Sequence, residues 1–385
     1  MASRRAVCKL PAVFLLAGCH FARPNLLKHD AYIWQRVWTD ELKHEIQQQA
    51  ALFNELRCFT AQRDVKGNWL YPAIDVAFVK SLASVNWVWV IRIDGAQPDI
   101  EVSELQREIN LLRAILGEGA QIELDFDCAS AQLSGYTKLL AALKQSGESI
   151  RITALPSWHG SAALPALLAH CDHLTLQVHA VENPKPGSAN GLFDPERALQ
   201  WLKDFDAICP CALSVALPTY GAVRYTDSSG KSIIRHESEF TPREALGEQF
   251  MPDARVLQRF LVTLDANKWR KLLRVVWFRL TLSSDRFALA PASVAALVQK
   301  LPLNAVINSF RRANKVGGFD VFLRNDGNCA GPAPIVIAAA DACAGEALAG
   351  YNFQGIGDNP RFVQSVPIEI KPGQTLAVGW IRACD

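Results

Sequence analysis

Between Tyr32 and Lys300, short apolar runs alternate eight times with runs whose apolar residues recur at helical spacing. No other feature of the chain restricts its fold as much. Strands are expected over Tyr32–Trp38, Leu56–Gln62, Trp87–Asp94, Gln121–Asp127, Ile150–Leu155, His173–His179, Ala212–Leu217 and Arg274–Leu280. The helix expected over Ser103–Leu116 is typical of the runs between them, with Leu105, Ile109, Leu112 and Ile115 on one face. Strands that are apolar almost throughout fit a parallel sheet buried on both faces. Eight such units match the roughly 250 residues of a (β/α)8 TIM barrel. An open doubly wound sheet is the competitor, but its nucleotide-binding form needs a glycine-rich turn after the first strand, and none follows here.

After Leu303 the period changes from helical to alternating. Phe319-Val321-Leu323, Ile368-Ile370 and Leu376-Val378-Trp380 place apolar residues two apart, and Pro372-Gly373 marks a turn. A small β-rich, sandwich-like C-terminal module is expected. The organisation is therefore a leader at 1–19, a barrel at 20–302 with an insertion near 220–250, and the β-rich module at 303–385. Within the insertion, Val223–Thr226 and Ser232–His236 flank Ser228-Ser229-Gly230-Lys231 as a hairpin.

The leader reading rests on Arg4, Arg5 and Lys9 ahead of an apolar run from Pro11 to Ala17. Its end, Leu16-Ala17-Gly18-Cys19, resembles the bacterial lipobox, which implies acylation of Cys19 and a lipid anchor in the membrane. An ordinary signal peptide or an unprocessed N-terminus is the alternative. The run is shorter than the roughly 20 residues needed to span a bilayer. The expected location is the bacterial cell envelope, facing the periplasm. There disulfides are permitted, and Cys329, Cys343 and Cys384 are candidates for a bridge whose pairing stays open. Cys58, Cys128, Cys171, Cys209 and Cys211 also read as buried free thiols. A formal charge of +2 without a basic stripe gives no case for nucleic acid.

Chemistry is expected at the C-terminal ends of the barrel strands. In Gln121–Cys128, Glu123, Asp125 and Asp127 fall on one face, because side chains two apart along a strand point the same way. Two neighbouring acids raise one another's pKa, an arrangement suited to general acid–base work, so Asp125 and Asp127 are the candidate catalytic pair. Arg92 and Asp94, Gln177 and His179, Trp277 and Arg279, then Trp34, Arg36, Trp38, Trp158 and Tyr220, are candidates for substrate binding. Flat tryptophan faces suit sugar rings, while arginines and carboxylates suit their hydroxyls. Asp94, Asp40, Glu237 and Glu239 are candidates for a second carboxylate. A structural ion-pair network filling the mouth without turnover is the competing reading.

Leu124-Asp125-Phe126-Asp127 resembles the Asp-x-Asp segment of family 18 chitinase-type glycosidases, which also carry a tryptophan on strand eight. Their acid glutamate lies two residues after the second aspartate, and Ala129 occupies that position here. The chain also resembles an uncharacterised bacterial family, domain of unknown function 3142. That resemblance rests on Ile33-Trp34-Gln35-Arg36-Val37-Trp38, Leu124–Cys128, Ala154-Leu155-Pro156-Ser157-Trp158 and Leu176-Gln177-Val178-His179. It implies a barrel lipoprotein and brings no established activity.

Two functions follow as expectations: a glycoside-hydrolase-like envelope lipoprotein acting on a saccharide, or a non-catalytic glycan-binding or scaffold lipoprotein. No pattern requires a cofactor. His170-Cys171-Asp172-His173 looks metal-like, but it lies at the opposite rim and reads as a helix end with a buried cysteine.

Overall fold

The computed structural model describes residues 26–95, 100–117, 121–181, 191–227, 229–236, 247–355 and 359–384. The leader, Cys19, Glu237 and Glu239 lie outside the described residues. Among those described, no helix is long and apolar enough to cross a membrane.

Eight parallel strands form the barrel: β1 (Lys28–Ile33), β2 (Glu55–Arg63), β3 (Trp87–Ile93), β4 (Gln121–Phe126), β5 (Ile150–Ala154), β6 (His173–Gln177), β7 (Ala212–Pro218) and β8 (Leu272–Phe278). Each pairs with the next, and β1 pairs with both β2 and β8, which closes the sheet and removes its edges. The helices α1 (Asp40–Gln49), α2 (Val76–Ser81), α3 (Val102–Leu116), α4 (Leu133–Gln145), α5 (Leu164–Leu168), α6 (Pro195–Ile208), α7 (Ala254–Ala266) and α8 (Pro291–Val298) lie outside the strands and bury apolar residues against them. In α3 the buried stripe is Leu105, Ile109, Leu112 and Leu116, and in α4 it is Leu133, Tyr136, Leu140 and Leu143. Asp194 and Asp253 cap α6 and α7 by accepting backbone N–H bonds in the first turn.

Two strands differ most from expectation. β1 runs Lys28–Ile33 instead of Tyr32–Trp38: its polar start is buried and paired, and Trp34, Arg36 and Trp38 follow the strand rather than lie in it. Asp30 is fully buried and receives Arg57 and Arg274 at 2.9 Å each. β8 runs Leu272–Phe278 rather than Arg274–Leu280, and Leu280 N–H instead donates to Tyr32 O at 2.7 Å across the closure. The insertion holds the expected hairpin, Ala222–Thr226 with Ser232–His236, and also a third strand, Glu248–Phe250, on its other side.

The C-terminal module is a sandwich of two main sheets with a short two-stranded ladder, Gly331–Pro332 with Glu369–Ile370, beside them. A four-stranded antiparallel sheet contains Ile307–Ala313, Phe319–Asn325, Thr375–Ala383 and Ala342–Ala347. Facing it, Val336–Ala338, Arg361–Gln364 and Tyr351–Gln354 form a smaller sheet. Val321, Leu323, Val378 and Ile381 from the first share one core with Ile337, Tyr351 and Phe362 from the second. Cys343 and Cys384 form a disulfide, while Cys329 is a buried free thiol.

Candidate active site

The barrel interior is built in tiers by strand alternation. The lowest tier is ionic. Glu55 accepts from Arg151 at 2.6 Å and from Arg274 at 3.0 Å. Above it, fully buried Arg57 joins Asp30 at 2.9 Å to Glu123 at 2.5 Å, and also donates to Thr175 Oγ1 at 2.7 Å. Glu123 accepts a second bond from the Tyr32 hydroxyl, whose pKa burial and the Glu123 charge push well above its ordinary value. Burial likewise raises the Asp30 carboxyl, against the pull of Arg57 and Arg274. Buried charges persist only where each has partners, and here each does.

The tier above opens to solvent as a cavity of about 340 Å³. Strand pairing sets Arg92 of β3 opposite Asp125 of β4, and their side chains meet at 2.9 Å. The second Asp125 oxygen accepts from Thr153 Oγ1 at 2.8 Å. Arg92 also lies 3.4 Å from Asp94 and 3.7 Å from Asp127, so one guanidinium serves three carboxylates. Asp127 is the least tightly held of the three. Its carboxyl is pushed up to about 7, first by burial and next by the charge of Asp125. Gly95 allows this packing: a Cβ there would stand 2.7 Å from the Asp127 carbonyl oxygen.

A polar relay continues around the rim. Arg36 donates to Gln62 Oε1 at 2.5 Å, and the Gln62 amide donates to Asp94 at 3.1 Å. Gln62 reaches the cavity through a bulge. Phe59 faces Val90, Ala61 faces Ile91 and Gln62 faces Arg92, so one extra residue in β2 shifts the alternation. The opposite wall is aromatic. Trp34 stacks on Phe59 at 4.8 Å and meets Phe278 at 5.0 Å, and Phe278 contacts His179 and Tyr220 at 5.2 and 5.5 Å. His179 Nδ1 lies 3.2 Å from the Tyr220 hydroxyl.

Of the sequence candidates, the cavity brings together Trp34, Arg36, Arg92, Asp94, Asp125, Asp127, Gln177, His179, Tyr220 and Arg279. Arg279 sits there with its guanidinium bound by Asp285 at 3.0 and 3.1 Å. Three tryptophans do not reach the cavity. Trp277 faces the helices and stacks on His29, because Arg274, Val276 and Phe278 take the inward parity of β8, so Phe278 stands where strand-eight tryptophan was expected. Fully buried Trp158 donates to the Cys128 carbonyl at 2.8 Å and so braces the turn after Asp127. Trp38 packs between Phe78 and Trp87. Asp40 stands fully exposed at the start of α1 (Asp40–Gln49), paired with Lys43, and is not in the cavity.

Tyr32, Gln62, Thr153, Thr175, Ala216 and Phe278 also line the cavity and were not among the candidates. Tyr32, Thr153 and Thr175 could have been found by counting back two residues from Trp34 and Gln177 and along β5. Among the described residues no group of three or more His, Cys, Asp and Glu side chains could hold a metal ion. His173 of the metal-like run points into the barrel, 2.6 Å from Ser214 Oγ.

A closed eight-stranded barrel whose mouth gathers three aspartates around one arginine defines the class. The chain belongs to the family described as Domain of unknown function (DUF3142), whose model matches residues 84–283, more than half of the sequence. A second domain of unknown function (DUF8456) matches residues 309–384, within the sandwich module. No curated protein matches the chain. Among solved structures, the spore cortex-lytic enzyme SleL of Bacillus cereus superposes with a TM-score of 0.51 at 13% identity, over 72% of this chain and 75% of that one. A chitinase from Bacteroides thetaiotaomicron gives 0.52 at 10% identity, over 71% and 97%. SleL of Bacillus megaterium QM B1551 gives 0.50 at 11%, over 71% and 73%. At these identities the likeness is one of fold, a closed (β/α)8 barrel.

Proposed function

We propose that the barrel mouth binds a saccharide and hydrolyses a glycosidic bond, with Asp127 transferring the proton. One observation carries this reading: Asp127, half-buried beside Asp125, titrates near neutrality at the edge of an open cavity. A carboxyl of that pKa is present in both forms at pH 7, which suits general acid–base catalysis at a leaving oxygen. Asp125, fixed by Arg92 and Thr153, supplies the charge that contributes to the shift. Asp94 is the remaining carboxylate of the described cavity and is assigned the second acid–base role. Trp34 and Phe278, their rings tilted 55° to one another, offer an apolar aromatic wall against which a sugar ring packs. The enzymes whose barrels superpose here include one chitinase and two spore cortex-lytic enzymes, which favours a polysaccharide as substrate.

A second reading, glycan binding without turnover, has its own support. Ala129, in the position of the family 18 acid, is exposed at the start of the turn leading to α4. All three carboxylates also converge on Arg92, as a purely structural cluster would. Envelope location with a lipid at Cys19 belongs to the same proposal; the Leu16–Cys19 motif and the Cys343–Cys384 disulfide support it.

The deciding experiment uses the purified full chain against a panel of β-linked oligosaccharides, comparing the native protein with Asp127→Asn. Release of reducing ends by the native chain and its loss in the variant supports hydrolysis. Equal binding by calorimetry with no release from either protein makes the second reading the correct one. Absence of binding to any glycan in the panel overturns both.

A further inference from the structure

The rim opposite the mouth holds a cluster that the proposed reaction does not use. Cys171 Sγ lies 3.3 Å from Cys211 Sγ, and Cys209 Sγ lies 3.4 Å from the same Cys211 sulfur. Cys171 lies two residues before β6 and Cys211 immediately precedes β7, strands that pair in parallel from His173 opposite Ala212 onward. The cluster thus sits where two neighbouring strands enter the barrel. Cys171 and Cys209 are buried, and Cys211 is partly open to solvent. The surroundings are fixed: Lys271 Nζ holds the Pro210 carbonyl at 2.7 Å, and Leu213 N–H donates to Lys271 O at 2.9 Å.

We propose that Cys171 and Cys211 close a disulfide that staples β6 to β7, leaving Cys209 as a free thiol beside it. The sulfur atoms need to approach by about 1.3 Å to reach bonding distance, which a side-chain rotation accomplishes between residues on adjacent strand ends. Cys209 is the poorer partner. It is two residues from Cys211, and the intervening Pro210 has a fixed φ that resists closing so small a ring.

The chemistry balances with a disulfide as oxidant. The thiolate of Cys211, the accessible member, attacks the oxidant's S–S bond and releases one thiol. Cys171 then attacks the Cys211 sulfur of the mixed disulfide, and the second thiol leaves. Two electrons pass to the oxidant, and the two cysteine protons end on its released thiols. The chain already carries one disulfide, Cys343–Cys384, so it is built to meet such an oxidant.

Contact with the Cys171 sulfur first, and burial after it, push the Cys211 thiol up to about 12. Thiolate is scarce at neutral pH, and exchange after folding is slow. The bond therefore acts as a staple set during folding, not as a rapid switch. Its place on the N-terminal face, where barrels keep stability apart from chemistry, agrees.

The test is differential alkylation of the full chain. Protein refolded with oxidised glutathione is unfolded in denaturant and alkylated, then reduced, alkylated again with a second reagent and mapped by mass spectrometry. Cys171 and Cys211 are expected to carry the second label and Cys209 the first. First label on both Cys171 and Cys211, or second label on Cys209 in place of Cys171, overturns the proposal. A melting comparison adds an independent readout. Reductant should lower the melting temperature of the native chain and of Cys209→Ser by about 5 °C more than that of Cys211→Ser, which retains only the Cys343–Cys384 bridge. An equal fall in all three proteins also overturns it, and the labelling stands whether or not Cys211→Ser folds.

Discussion

Arg92 and Asp125, opposite one another on adjacent strands, form a 2.9 Å ion pair that governs how the other acids of the mouth behave. The pair keeps a negative charge beside Asp127 while Arg92 stands 3.7 Å away, too far to bond that carboxylate closely. Asp127 is thereby left as the group that can exchange a proton.

Asp127 gives the first test. If its protonated form donates to the leaving group, turnover should decline as pH rises through about 7. Stability carries the same signature. The folded-state pKa lies above the unfolded value of about 3.9, so the native state binds more protons between these two pH values. Stability from this group is therefore lost as pH rises from about 4 to about 7. Asp127→Asn should be nearly neutral at pH 4 and stabilising at pH 8, read as the difference in urea midpoints.

Replacing Arg92 by Met removes the cation nearest to Asp125 and Asp127. The Asp127 carboxyl should move further up, and any alkaline limb of the activity profile should move up with it. With Asp125 buried and a third of the Arg92 side chain in solvent, the stability loss at pH 7 should be about 1–3 kcal/mol. A profile that stayed in place would show that Arg92 does not control Asp127.

Arg57 makes a harsher test, because it has no solvent contact. Arg57→Met strands Asp30 and Glu123 without their cation, at a cost of about 3–5 kcal/mol at neutral pH. Asp30, whose carboxyl burial already raises, then resists ionising further in the folded state, so the variant should recover stability toward pH 5. Denaturant melts at the two pH values measure this. A loss independent of pH would contradict the charge account.

Trp34 and Trp277 should separate binding from packing. Trp34→Ala, at the half-open wall, is expected to weaken oligosaccharide binding about 3–10-fold with little loss of stability. Trp277→Ala, fully buried against His29, should cost about 3–5 kcal/mol and leave the dissociation constant unchanged once folded. Calorimetric titration and thermal melts of both variants decide it.

The barrel was legible because its signal is long-range and redundant. Eight strand–helix alternations survive errors of several residues at any one boundary. Asp125, Asp127, Arg92 and Asp94 were legible for a local reason: simple alternation holds through the ends of β3 and β4. Where alternation slips by one residue, sequence reading fails. The β2 bulge turned Gln62 inward, and the frame of β8 put Phe278 in the cavity and Trp277 outside it. The ionic interior escaped notice because Asp30, Glu55, Arg57, Arg151 and Arg274 look like surface residues until their partners, from other strands, are known.

That interior also affects how the mouth can change. Asp30, Glu55 and Glu123 face Arg57, Arg151 and Arg274, three negative charges against three positive, within contact distance of one another. The lower half of the barrel is electrically self-contained and exports little field. Substitutions among the groups around Arg92 can retune the opening without unbalancing the floor beneath it. A barrel arranged in this way can exchange one ligand chemistry for another while its foundation stays the same.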